Sequence, residues 1–88
     1  MITAKEALAI SQKNWDEQVK EYMEALEKEI KASACKGLTI SSGPCFKETA
    51  HEYVKNAVIE KCKELGYQAK VIEYGLSPKK YFIRAEWG

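Results

Sequence analysis

The sequence predicts one α+β domain, with elements in the order α-β-α-β-β and a three-stranded sheet in the order 1-3-2. Three observations lead there. Two stretches repeat apolar residues at helical steps of three and four, and a glycine closes each. A short run rich in β-branched residues lies between them. Two alternating runs follow the second helix. The chain has 88 residues, enough for a single modest core burying about 60–65% of the unfolded surface.

The first helix is expected over about 3–36. Thr3 and Glu6 make a T-x-x-E capping box, with Ile2 as a hydrophobic staple outside it. Ala4, Ala7, Leu8, Trp15, Val19, Tyr22, Met23, Leu26 and Ile30 supply the apolar positions, and the charged residues lie mostly off that stripe. Glu24–Lys28 and Glu27–Lys31 place the acid four residues before the base, the favourable order. Gly37 ends the helix as a left-handed cap. The segment 11–14 carries no apolar residue, and Asn14 followed by Glu17 offers a second cap, so the helix either runs unbroken or breaks there. Unbroken, it is about 50 Å long, against a radius of gyration of about 12 Å for a compact chain of this size. Such a helix overruns its own domain, and its end is expected to pack on another molecule.

The first strand is expected at 38–41, from Leu38-Thr39-Ile40-Ser41. Ser42-Gly43-Pro44 reads as a turn leading into a second helix over 44–65, with proline in its first turn. Phe46, Ala50, Tyr53, Val54, Ala57, Val58, Cys62 and Leu65 form its stripe, and Gly66 closes it. Strands at 67–74 and 79–87 flank the turn Gly75-Leu76-Ser77-Pro78. A right-handed helical crossover makes the first two strands parallel, with the third inserted antiparallel between them and both helices on one face. The apolar last strand, ending at Trp87, suits the central place. Ile72, Tyr74 and Phe82 leave the other face partly apolar, which hints at a covering element or partner.

Composition narrows the function. Apolar residues make up 45% and charged residues 31%, the balance of a folded globular chain rather than a disordered one. No apolar run approaches the roughly 20 residues that cross a bilayer, and the N-terminus lacks the pattern of a signal peptide. The net charge is +1. Residues 3–36 hold six basic and seven acidic side chains, and 37–88 hold eight and six. That asymmetry is too slight for a phosphate-tracking groove, so nucleic acid is not an expected partner, although Lys79, Lys80 and Arg84 beside Tyr74, Tyr81 and Phe82 sketch a stacking surface. Three cysteines and one histidine, without C-x-x-C, do not make a zinc site and suggest reduced thiols. No nucleophile–base pair, metal set or cofactor loop is visible, so neither an enzyme nor a cofactor is expected.

Two constellations remain. Ser41, Ser42, Gly43 and Lys47 lie at the expected start of the second helix, where hydroxyls, free backbone N–H groups and a lysine would hold a phosphate or carboxylate. Serine is also a routine helix cap, which explains the same residues without a ligand. Cys45 falls in that first turn, where the helix dipole would favour its thiolate. His51 has no orienting partner at a catalytic spacing and reads as a surface residue. The second constellation is the stripe of the first helix. Leu8, Trp15, Val19 and Tyr22 mix aliphatic and aromatic side chains as interfaces do, so part of it covers the sheet and part is expected to meet a second copy across a two-fold axis.

The layout resembles small uncharacterised proteins of bacteriophages and prophages. The shared features are the opening Ile2-Thr3-Ala4-Lys5-Glu6-Ala7, the long charged helix closed by Gly37, the short strand, the second helix ending Glu64-Leu65-Gly66-Tyr67, and the final hairpin ending Ile83-Arg84-Ala85-Glu86-Trp87. The resemblance covers most of the chain and carries no functional residues with it. It implies a phage accessory protein in the bacterial cytoplasm, or a minor virion component. The resulting expectation is a non-enzymatic homo-oligomer, a dimer first, that engages a host or phage protein. The alternative is an oligomer that sequesters a small anionic nucleotide at Ser41, Ser42, Gly43 and Lys47.

Overall fold

The computed structural model describes residues 1–75 and 79–88. Its elements are α1 (Ala4–Cys35), β1 (Ile40–Cys45), α2 (Glu52–Glu64), β2 (Gln68–Tyr74) and β3 (Lys80–Glu86).

Thr3 caps α1 from an extended backbone, its Oγ1 accepting the Glu6 N–H at 3.1 Å. The helix then runs 32 residues without a break at 11–14. Asn14 caps nothing there; its Oδ1 accepts from Gln18 Nε2 at 2.6 Å, one turn on. Polar residues alone do not end a helix, and this stretch has neither proline nor glycine to force an end. Both helices close alike. Gly37, at φ +79, donates to the Ala34 carbonyl at 2.9 Å while Leu38 donates to Ser33 at 3.0 Å. Gly66, at φ +95, donates to Lys63 while Tyr67 donates to Cys62, both at 3.0 Å. These are paired Schellman bonds, and each needs a residue that tolerates positive φ.

The sheet is antiparallel throughout, in the order β1-β3-β2. β3 is central, so β1 and β2 run parallel to one another on its two sides. Ile40 pairs with Glu86 and Ser42 with Arg84 on one side; Lys70 pairs with Arg84 and Ile72 with Phe82 on the other. The turn expected at 75–78 lies largely outside the described residues.

Two boundaries differ from the sequence expectation, for one reason. β1 begins two residues later than expected and ends at Cys45, so Ser42, Gly43 and Pro44 belong to the strand rather than to a turn. Proline lacks a ladder donor, but β1 is an edge strand and its register shifts between Ser42 and Cys45, a bulge that accommodates it. α2 accordingly starts at Glu52, not at residue 44, with His51 as its cap: Nδ1 accepts the Tyr53 N–H at 3.0 Å. The intervening residues are recruited by tertiary contacts. The Phe46 N–H bonds the Tyr81 carbonyl at 2.8 Å and extends the ladder, while the Phe46 ring packs on Tyr22 with centroids 4.8 Å apart.

Both helices cover one face of the sheet. Val19, Tyr22 and Leu26 of α1 meet Val54, Val58 and Cys62 of α2 over Ile83 and Ala85 of β3, with Phe46 and Ala50 completing the core. Leu26, Ile83, Val54 and Val58 are almost wholly buried, each worth about 1.5–3 kcal/mol relative to exposure. Gly43 lets α1 approach β1: a Cβ built there would stand 2.6 Å from Leu26 Cδ1.

Candidate functional site

The expected anion cradle does not assemble. Because 41–43 is strand, successive side chains alternate faces. Ser41 is buried toward the helices at 4% exposure, whereas Ser42 is exposed on the opposite face. Gly43 turns inward to Leu26. Lys47 is exposed, and its backbone N–H is already taken by Tyr22 Oη at 2.9 Å. The free N–H groups that a helix start would have offered lie instead at His51–Tyr53, where the imidazole consumes one. Cys45 ends a strand, not a helix turn, so no helix dipole acts on it. Its Sγ lies 3.3 Å from Tyr74 Oη, and this contact, ahead of burial, raises the phenol of Tyr74 above its ordinary range.

The expected interface stripe divides in two. Val19 and Tyr22 belong to the chain's own core and offer no surface to a partner. The sequence could not separate them from Leu8 and Trp15, because all four share one helix face. Leu8 is 55% exposed and Trp15 half-buried. The reason is length. At 32 residues, α1 spans about 48 Å, while the molecule measures 54 × 31 × 17 Å. From Ala4 to Asn14 every residue is exposed except Ala7 and Ser11, which are half-buried. About three turns of helix therefore project past the sheet and α2. On them, Ala4, Leu8 and Ser11 continue the line of Trp15, Val19, Tyr22 and Leu26.

Trp15 marks where the projection begins. Its ring stacks on His51, centroids 4.3 Å apart at 21°, and tilts against Tyr53 at 5.4 Å. Tyr53 Oη donates to Asp16 Oδ1 at 2.9 Å. These four residues tie the root of the projecting helix to the start of α2. His51 is exposed, as the sequence suggests, but its cluster is not legible there, since the members stand far apart in the chain and no local spacing joins them. Leading away from it, a groove between α1 and α2 is floored by Val19, Met23 and Ala57 and rimmed by Lys20, Lys61 and Glu64.

The second open surface is the sheet face away from the helices, which no other described element covers. There Ile72, Tyr74 and Phe82 meet Cys45, with Tyr74 and Phe82 edge to face at 5.4 Å. Among the described residues, no three His, Cys, Asp or Glu side chains converge to hold a metal ion. No helix of the structure is long and apolar enough to cross a membrane. Comparison with protein-family models, with curated proteins and with solved structures finds no match to this chain.

Proposed function

We propose that this chain acts by binding protein rather than by catalysis, and that the projecting part of α1 is its self-association surface. One observation carries the reading: the helix face that forms the core runs on past the domain, through Ser11, Leu8 and Ala4, with none of the described residues of the sheet or α2 packed beneath it. Two such projections laid antiparallel would set Leu8 against Ser11 and Ala4 against Trp15 of a second copy, a large residue opposite a small one at each level. That self-complementarity suits a two-fold axis. In that register Lys5 faces Asn14 and Ala7 faces Gln12, so the flanking positions oppose no like charges.

The resemblance to phage and prophage proteins supports a host or phage protein as the further partner of such a dimer, and the bacterial cytoplasm as its place of action. Nucleotide sequestration at Ser41, Ser42, Gly43 and Lys47 is not supported, because the four residues do not face one ligand.

Sedimentation of the purified chain across a range of concentrations, beside Leu8→Asp, tests the reading. The expected result is a dimer of the 10.0 kDa chain that Leu8→Asp converts to a monomer still unfolding cooperatively, with a midpoint that no longer depends on concentration. A wild-type monomer at the highest concentration would overturn it.

A further inference from the structure

We propose that the uncovered face of the sheet is a docking surface for single-stranded nucleic acid. The inference uses no residue of the α1 projection and stands apart from the oligomer reading. Pairing puts Ile40, Ser42 and Cys45 of β1, Lys80, Phe82, Arg84 and Glu86 of β3, and Gln68, Lys70, Ile72 and Tyr74 of β2 on this one face.

Two rows cross it. In one, Ser42, Arg84 and Lys70 stand side by side on the three strands. Arg84 and Lys70 are direct cross-strand partners of like charge, an arrangement that costs stability unless an anion lies between them. Among the described residues Lys70 makes no ion pair, and Lys80 makes none either. Arg84 is held by Glu86, with Nε 3.2 Å from Oε1. That Nε–H is not in line for a hydrogen bond, so the pair is a charge contact, and the guanidinium, 40% exposed, still has its terminal N–H groups to give. In the second row, two residues along, Cys45, Phe82 and Ile72 are apolar, and Tyr74 leans over Phe82. Ser42, Gly43, Cys45, Tyr74 and Phe82 line a shallow depression of about 260 Å³.

A cationic row beside an aromatic one is what a nucleotide chain needs: phosphate against Arg84 and Lys70, base against Phe82 and Tyr74. The near-neutral net charge does not oppose this. It averages a helix α1 rich in carboxylates with a face whose charged residues are Lys70, Lys80 and Arg84 against Glu86 alone. A second copy does not fit, because two-fold stacking of these faces would oppose like charges. A free mononucleotide fits less well than a strand, because the depression has no enclosing wall, whereas a strand gains contact by continuing along the face.

Anisotropy of a fluorescein-labelled dodecathymidylate titrated with the full chain tests the proposal, with amide shifts of labelled protein locating the contact. The expected affinity is micromolar to submillimolar at moderate salt, with a salt slope near −2 for three cations, at about −0.7 for each phosphate neutralised. Lys70→Gln and Arg84→Gln should each weaken binding several-fold and lower that slope by about 0.7. Phe82→Leu, which keeps the strand apolar, should weaken binding about tenfold and leave the slope unchanged. Lys28→Gln on α1, away from this face, should change nothing. Shifts confined to the helices, or a wild-type chain that does not bind, would overturn the proposal. So would equal competition by polyglutamate, which would reassign the face to an acidic protein, or by thymidine monophosphate, which would reassign it to a free nucleotide.

Discussion

Trp15 and His51 lie in parallel contact, ring centroids 4.3 Å apart, and this stack joins the root of a projecting helix to the cap of the next one. The imidazole serves twice: its face supports the indole, while its Nδ1 accepts the Tyr53 N–H in the first turn of α2. Trp15→Ala removes the stack and the Tyr53 contact together. The expected loss is about 2 kcal/mol, below the figure for a fully buried tryptophan because Trp15 is half-exposed. Trp15→Phe should recover more than half of it. Urea unfolding followed by far-ultraviolet circular dichroism measures both, and an unchanged midpoint for Trp15→Ala would show the stack to be idle.

The capping role of His51 separates from its stacking role by choice of replacement. Asparagine is a good cap with no ring, and alanine is neither. His51→Ala should cost about 1 kcal/mol more than His51→Asn, the usual worth of a cap. Thermal unfolding of the two variants side by side gives the difference. If they melt together, Nδ1 contributes no cap.

Gly43 is needed for space rather than for backbone freedom, since its φ is not among the positive ones. A methyl at this position would stand 2.6 Å from Leu26 Cδ1. Gly43→Ala is expected to destabilise by about 1–3 kcal/mol, as overpacking does. Combined with Leu26→Ala, which opens the same volume, the two losses should fall short of additive. Strict additivity in denaturant titrations would refute the close approach.

Cys62 links stability to alkaline pH. Burial pushes its thiol above the ordinary value, so the folded chain keeps a proton that the unfolded chain gives up. Its contribution is complete below the ordinary thiol value, about 8.5, and is lost as pH rises through the higher folded one. The wild type should therefore lose more stability than Cys62→Ala between about pH 8 and pH 10. Parallel slopes for the two proteins would mean that Cys62 ionises alike in the folded and unfolded states.

Much of this architecture is local in origin, and the sequence determined that part. Thr3 with Glu6 starts α1, Gly37 and Gly66 end the helices, and apolar steps of three and four mark the buried faces, because capping and periodicity act within a few residues. The strand order followed from crossover handedness and from the apolar last strand. The tertiary structure alone decided where β1 ends and α2 begins. Phe46 has helical spacing to Ala50, yet its ring packs on Tyr22 and its N–H on Tyr81. Those long-range bonds outweigh a weak local preference and carry 42–45 into the sheet, so the expected anion cradle is divided between two faces. The same holds for the surfaces. One stripe of α1 contains both core and projection, and only the length of the sheet beneath it separates Leu8 from Val19. Likewise Lys70 and Arg84 are unrelated in the chain, and cross-strand register makes them neighbours.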